Sequence, residues 1–185
     1  MIGAGTVVTK SVPAFATVYG NPGRIHGYIE KLDVTLRKES TETETKIQDQ
    51  NLPGKCIIIQ LNSSSDVRGN LTAVDFTKFD FFSVQRTFFV YDVPGNKVRG
   101  EHAHRKCSQF LIALSGSIKV IVDDGVSKEE VLLDSPIEGL LIPPMVWATQ
   151  YDFTKGAVLA VLASDPYDSN DYIRDYKTFS LELNQ

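Results

Sequence analysis

The sequence predicts an all-β protein, built as an antiparallel sandwich or barrel, with a short N-terminal segment of a different kind. From about Lys55 onward, runs of β-branched and aromatic residues recur about every 8–12 residues with turn residues between them, as in sandwiches and barrels. Asp123-Asp124-Gly125 is a strong hairpin signal, since both turn positions can adopt a positive φ. The predicted strands cover residues 57–61, 69–74, 86–91, 109–114, 117–122, 129–133, 139–142 and 157–163.

Length and charge limit the classes of function. The 185 residues are enough for one domain with an appendage, and a hydrophobic content of 42% is sufficient for a barrel-sized core. The net charge is −4 and no basic block occurs, so we do not expect nucleic acid as a partner. An anionic small molecule is compatible with this balance, because it needs only a few local cations.

The cysteines and the apolar runs indicate the compartment. Cys56 and Cys107 lie far apart without a CxxC pattern, and in the absence of a disulfide framework we expect a reducing compartment. No apolar run approaches the roughly 18 residues of a membrane span. The N-terminus also lacks the basic region and apolar core of a secretory signal. The sequence therefore predicts a cytoplasmic protein that has no membrane partner.

Residues 1–30 do not continue the pattern of the predicted strands. Residues 1–8 alternate small and β-branched side chains, and Pro13 and a turn at residues 20–24 follow. This spacing resembles the last coil of the left-handed parallel β-helix of sugar acyltransferases. A single coil cannot bury its own hydrophobic face, because solenoids need about three repeats. We expect an incomplete terminal coil, a remnant of a longer bifunctional protein; the alternative is an ordinary strand and turn.

The rest of the chain divides into a connector and a main domain. Residues 31–54 are polar and charged with no strong period, which predicts a linker. Residues 55–185 then form the main domain, whose tail from Asp165 onward is predicted to be irregular with a turn or two of helix.

His102 and His104 are two of the three histidines of the chain, and only Ala103 separates them. Side chains alternate between the faces of a strand, so both imidazoles project to one side. Such a pair inside a barrel suggests a metal site or a proton-transfer site, since the imidazole pKa is about 6.5. The alternative is two core histidines satisfied by hydrogen bonds. Arg99 could steady an oxyanion or a phosphate, and Tyr91 could orient a sugar, relay a proton or be a core aromatic.

The histidine pair lies in a stretch that resembles the first motif of the cupin superfamily, whose fold is a double-stranded β-helix or jelly-roll barrel. His102 and His104 are followed by Gln109, where cupins usually have a glutamate, and then by Gly116. The metal-binding histidine of the second cupin motif falls on Ala148. Two usual ligands are therefore missing, and we expect no metal, although an Asp or Glu from elsewhere could complete a site.

Further stretches narrow the resemblance to the sugar 3,4-ketoisomerases, which are metal-free cupins that act on dTDP-4-keto-6-deoxyglucose. The family moves the carbonyl from C4 to C3 through an enediol without a cofactor, in the biosynthesis of dTDP-3-amino-3,6-dideoxy sugars for surface polysaccharide. The matching residues are Arg68-Gly69, Tyr91, Val93-Pro94, Arg99-Gly100, His102-Ala103-His104, residues 116–125, 143–147, 162–167 and 171–174, and Tyr176.

The resemblance implies roles for eight residues. One of His102 and His104 would abstract the C3 proton, and the other would reprotonate the sugar or shuttle the proton. Tyr91 would match the catalytic tyrosine of the family, and Arg99 would stabilise the enediolate or grip the substrate. Weaker candidates for substrate contact are Arg68, Lys106, Gln109 and Trp147, the last of which could instead pack in the core.

The resemblance also implies partners. The substrate would be the dTDP-linked sugar, and the main domain would form a homodimer. A larger assembly is expected where a full β-helix acyltransferase is attached, as in fused members of the family. Two alternatives stay open: a cupin-type nucleotide-sugar epimerase, and a module that binds a nucleotide sugar without catalysis.

Overall fold

The computed structural model describes residues 1–28, 46–48, 51–66 and 69–184. The chain divides into two compact units, Met1–Glu39 and Ser40–Gln185. The predicted linker, residues 31–54, lies mostly outside the described residues. In the described part of the chain, no helix is both long and apolar enough to cross a membrane.

The first unit contains a small antiparallel pair, β1 (Ala16–Tyr19) and β2 (Arg24–Tyr28). Ile2 forms a parallel bridge with Val18, and the Val18 N–H donates to the Met1 carbonyl at 2.9 Å. Ala16 and Val18 are buried. The apolar side chains that stay exposed in this unit include Met1, Ile2, Val7, Val8, Phe15 and Tyr28. The unit therefore leaves much of its apolar surface uncovered.

The second unit is built from antiparallel strands and one short helix, α1 (Tyr176–Glu182). Its strands are β3 (Lys46–Gln48), β4 (Ile57–Gln60), β5 (Asn62–Asp66), β6 (Gly69–Ala73), β7 (Arg86–Tyr91), β8 (Arg99–His104), β9 (Gln109–Ser115), β10 (Ile118–Asp123), β11 (Lys128–Leu133), β12 (Glu138–Ile142), β13 (Trp147–Tyr151), β14 (Val158–Ala163) and β15 (Tyr172–Ile173).

The strands form two main sheets with a packed core. One has the order β11-β10-β13-β8-β15, and the other has the order β3-β4-β12-β9-β14-β7; β5 and β6 form a separate hairpin. Alternate residues of both sheets meet in a core that includes Leu111, Ile118, Val120, Leu140 and Leu159, all fully buried. The predicted all-β, cupin-like fold is confirmed, and the eight predicted strands all occur.

Two further clusters cover the outer faces of the sheets. Helix α1 packs through Phe179 against Ala103 of β8 and Ile173 of β15. On the other sheet, Phe79 from the segment before β7 packs against Phe110 of β9. A residue that packs in the core between the sheets therefore lies on the inner face of its strand, and one that packs in either of these two clusters lies on the outer face.

Candidate active site

Strand β8 directs His102 and His104 to the inner face of its sheet. His102 lies opposite Ala148 of β13, and directly paired residues of neighbouring strands share a face. Ala148 belongs to the core between the sheets, whereas Ala103 packs outward against Phe179. The predicted same-face arrangement of the two histidines is confirmed by this register.

His104 lies at the centre of a row of side chains. Its Nδ1 is 2.7 Å from Asp171 Oδ2, and its Nε2 is 3.2 Å from His102 Nε2 and 3.1 Å from Gln109 Nε2. The His104 side chain is only 7% exposed. Asp171, His104 and His102 thus form a continuous path along which a proton can move, with Gln109 against its middle member.

Asp171 is held in place by the chain that follows β8. The backbone N–H groups of Lys106 and Cys107 donate to its two carboxylate oxygens at 2.8 and 3.3 Å. Burial alone raises the pKa of the Asp171 carboxyl, but the hydrogen bonds from His104 and Lys106 bring it below its ordinary value. The ionised carboxylate has no proton to donate, so His104 Nδ1–H must be the donor and Nε2 keeps its lone pair.

Both histidines are neutral near pH 7. Burial lowers the pKa of His104, the hydrogen bond and charge of Asp171 oppose this, and the charges of Arg86 and Arg174 lower it further. Burial also lowers the pKa of His102, against a smaller effect of the Gly100 backbone, and the charges of His104 and Arg174 lower it further. A neutral imidazole with a free lone pair is the form that can accept a proton.

Strand β15 adds an aromatic wall with a cation. The Tyr172 ring lies 4.9 Å from the His102 ring and 4.3 Å from the His104 ring, measured between centroids. Tyr172 pairs with His104, which places it on the same inner face. The Arg174 guanidinium lies 4.4 Å from the centroid of the Tyr172 ring. The segment therefore brings a phenol and a permanent positive charge to the histidines.

A β-bulge decides where Arg99 points. The register between β8 and β13 shifts at Glu101, which has a positive φ of 53°, so that Arg99 lies opposite Gln150 while His102 lies opposite Ala148. In a regular strand, residues three apart face opposite sides; the bulge places Arg99 on the histidine face. Gly100 is required here, because its φ is +79° and a Cβ would lie 2.6 Å from the Ala148 carbonyl oxygen.

Tyr91 and Trp147 were predicted as site residues, and the structure does not bring either to the histidines. In β7, Phe88 and Val90 pack in the core between the sheets, so Tyr91 lies on the outer face and is 62% exposed. Trp147 precedes the inward Ala148 and packs with its ring against Tyr176 and Phe179 of α1. Alternation along each strand is the reason in both cases.

Three other predicted residues have different outcomes. Gln109 is buried and contacts His104 directly. Lys106 is exposed, and it contacts the site through its backbone N–H, which donates to Asp171. Arg68 lies outside the described residues.

Sequence reasoning missed Asp171, Tyr172 and Arg174 as residues of the site. Asp171 and Arg174 lie in a stretch that matched the ketoisomerases, but 67 residues separate Asp171 from His104. No local period connects residues so far apart, so only the family pattern could have drawn attention to this segment.

The donor atoms of the site are engaged with each other rather than arranged around an empty centre. Ala148 provides no ligand where a third histidine would stand. Among the described residues, His104, Cys107 and Asp171 form a group with ligand atoms within 4.8 Å. However, His104 Nδ1 is bonded to Asp171, and the Cys107 thiol donates to the Ser108 carbonyl. These residues fit proton transfer better than they fit metal binding.

Comparisons with known proteins agree with the geometry. The family model described as FdtA, WxcM-like, C-terminal, matches residues 54–184. A TDP-4-oxo-6-deoxy-α-D-glucose-3,4-oxoisomerase of Aneurinibacillus thermoaerophilus is 44% identical over 122 residues, which are 66% of this chain and 88% of that protein. The solved structure of QdtA, a sugar 3,4-ketoisomerase of Thermoanaerobacterium thermosaccharolyticum in complex with TDP, matches with 36% identity and a TM-score of 0.68, covering 70% of this chain and 94% of that chain.

A separate, short similarity involves an acetyltransferase. A dTDP-3-amino-3,6-dideoxy-α-D-galactopyranose 3-N-acetyltransferase of Aneurinibacillus thermoaerophilus is 59% identical over 29 residues, which are 16% of this chain and 15% of that protein.

Proposed function

The chain belongs to the WxcM-like, C-terminal family, and on this premise we propose that it is a 3,4-ketoisomerase of TDP-4-keto-6-deoxyglucose. The observation that carries the proposal is the hydrogen-bonded row Asp171–His104–His102 on the inner face of β8. Its neutral imidazoles suit the removal and return of a carbon-bound proton. The relatives with this activity supply the substrate class.

The first step is proton removal from C3 of the sugar by His104 Nε2. The electron pair of the C3–H bond becomes the C3=C4 double bond, and the C4 carbonyl oxygen takes the negative charge. Asp171 stabilises the imidazolium that forms, because its carboxylate accepts the hydrogen bond from Nδ1–H at 2.7 Å. Arg99, at the open end of the same face, is available to the charged part of the nucleotide sugar.

The second step returns a proton to C4. The O3 hydroxyl passes its proton to the C4 oxygen, which becomes the C4 hydroxyl as the C3 carbonyl forms. C4 takes up the proton held by the histidines, so the carbonyl has moved without oxidation or reduction. His102 Nε2 lies 3.2 Å from His104 Nε2, within reach for handing over the proton. We assign His104 to abstraction and His102 to the return, since His104 is the one of the two that has a carboxylate partner among the described residues.

The test is proton NMR of the whole chain with TDP-4-keto-6-deoxyglucose in deuterated water, with and without chelator. Deuterium entering the sugar while a 3-keto product forms, in both samples, is the expected result. Exchange at C3 and C5 without movement of the carbonyl would indicate an epimerase instead. Binding without exchange would indicate a module that only holds the nucleotide sugar.

The assembly is proposed to be a homodimer through residues 55–185. Light scattering after gel filtration should give twice the chain mass of 20.5 kDa. A mass equal to one chain would contradict the dimer.

Residues 1–28 are proposed to be the terminal coil of an acyltransferase-type β-helix. The parallel bridge between Ile2 and Val18, the exposed apolar side chains and the short acetyltransferase similarity support this. The Gly3 and Val18 amides, which bond across the bridge, should exchange slowly in hydrogen-exchange experiments. Rapid exchange of both amides would contradict a stacked coil.

A further inference from the structure

Arg86, the first residue of β7, lies on the histidine face of the fold. It pairs with Ala163 of β14, and Ala163 pairs on its other side with Gln109. Directly paired residues share a face, so Arg86, Ala163 and Gln109 stand in one row. Because Gln109 Nε2 is 3.1 Å from His104 Nε2, this row ends at the histidine. The register alone therefore places a guanidinium close to the proposed base.

The Arg86 side chain is held by aromatic rings and not by a carboxylate. Its guanidinium carbon lies 5.2 Å from the Phe88 ring centroid and 5.5 Å from that of Tyr167. Its Nε is buried and has no hydrogen-bond partner, and no carboxylate within the described ranges forms an ion pair with it. The positive charge is permanent, since arginine does not lose its proton in proteins. A buried donor left without an acceptor is unfavourable and calls for an explanation.

The proposed reaction supplies the missing acceptor. Proton removal from C3 puts negative charge on the C4 oxygen of the sugar, and that charge forms only during the reaction. A preorganised cation with a free N–H, in a site shielded from water, stabilises such an oxyanion strongly. His104 also responds to the charge of Arg86, which favours its neutral form. One group can therefore keep the base neutral and stabilise the product of proton removal.

We propose that Arg86 is a catalytic residue whose Nε–H donates to the C4 oxygen of the sugar as the enediolate forms. This inference rests on the proposed ketoisomerase function and names the group that stabilises its intermediate. The electrons of the C3–H bond form the C3=C4 double bond, the π electrons of the former C4 carbonyl end on the C4 oxygen beside Arg86, and the proton ends on His104. Arg86 loses nothing and is unchanged after reprotonation at C4.

The test compares Arg86→Met and Arg86→Lys with the wild-type chain, using TDP-4-keto-6-deoxyglucose as substrate and TDP as the binding probe. Arg86→Met should lower kcat by about 10²- to 10³-fold, as loss of an oxyanion donor does, and leave the Kd for TDP unchanged. Arg86→Lys keeps a charge without the planar donor set, so its kcat should lie between that of the wild type and that of Arg86→Met. Lys78→Met, which removes an exposed loop cation, should behave like the wild type.

Two results would overturn the proposal. Wild-type kcat in both Arg86 variants would exclude a catalytic contact. Weaker TDP binding with an unchanged kcat at saturation would mean that Arg86 holds the diphosphate. If Arg86→Met does not fold, Arg86→Lys decides between these outcomes by itself. Failure of the proposed ketoisomerase function can be distinguished from failure of the Arg86 proposal, because in that case the wild-type chain itself forms no 3-keto product.

Discussion

The two sides of strand β8 differ in how fully their polar groups are satisfied. The inner side presents His102 and His104, and His102 Nδ1 is buried without a hydrogen-bond partner in the described part of the chain. On the outer side, Ala103 is fully buried against Phe179. Just past the end of β8, Arg105 makes four hydrogen bonds: two to Glu182 at 2.9 and 2.6 Å, and two to the carbonyls of Asn170 and Tyr172 at 2.7 and 3.2 Å.

This difference indicates that the residues on the inner side of β8 take part in the reaction, whereas those on the outer side stabilise the structure. The outer contacts fasten the segment that carries Asp171 and Tyr172 to the protein, and that segment then reaches round to the inner side. On the inner side, His102 Nδ1 and Arg86 Nε are buried without a hydrogen-bond partner among the described residues, and a substrate can use them. Variants on the two sides should therefore separate activity from stability.

The largest expected effect is that of His104→Asn. Loss of the general base should lower kcat by about 10²- to 10⁴-fold. The asparagine amide can still donate toward Asp171, so the melting temperature and TDP binding should change little. Steady-state turnover measures kcat, and calorimetry on the same sample measures the melting temperature and TDP binding. Retained turnover in this variant would contradict the assignment of the base.

Asp171→Asn should have the next largest effect. A hydrogen bond to a charged group contributes about 1.5–3 kcal/mol, which corresponds to a loss of kcat of about 10- to 100-fold. Asp171 raises the pKa of His104, so its removal lowers that pKa further, with His102, Gln109, Tyr172, Arg86 and Arg174 still facing the ring. Because the base must be neutral, the acid limb of the kcat profile should move to lower pH.

Asp168→Asn is the matched control for this shift in the pH profile. Asp168 caps the turn that contains Asp171 but makes its bond to the Asn170 N–H, away from His104. In Asp168→Asn, the acid limb of the kcat profile should stay at the same pH as in the wild type. An equal displacement in both variants would show that looseness of the segment, rather than the carboxylate, sets the profile.

Arg105→Gln probes the outer side and should mainly affect stability. We expect a loss of about 1 kcal/mol, because the side chain is partly exposed and its ion pair is screened. For a chain of this size that corresponds to a melting temperature lower by about 2–4 °C. Glu182→Gln removes the ion pair and leaves the carbonyl contacts, so it should have a smaller effect. A loss of kcat larger than that of Asp171→Asn would contradict a purely supporting role.

The sequence could predict the local part of this site and not the distant part. The common face of His102 and His104 depends only on alternation within one strand, and the hairpin at 123–125 depends only on turn residues. The orientation of Arg99 depends on a bulge at Glu101 that Gly100 permits. Counting alternate residues along the strand does not reveal this bulge. Asp171 reaches His104 across 67 residues through tertiary packing, so its place is fixed only by the whole fold.

The smallest expected effect is that of Tyr91→Phe. This variant extends the comparison of inner and outer residues to β7, which belongs to the other sheet. Tyr91 lies on the outer face of β7, whereas Arg86, five residues earlier on the same strand, lies on the inner face. Removing the hydroxyl should therefore leave kcat and TDP binding close to wild-type values in steady-state and calorimetric assays. A tenfold or larger loss of kcat would mean that Tyr91 enters an active site from outside its own barrel, as in a dimer. The same loss should then disappear when the enzyme is diluted to monomers, because a lone chain would lack the hydroxyl whether it carries tyrosine or phenylalanine.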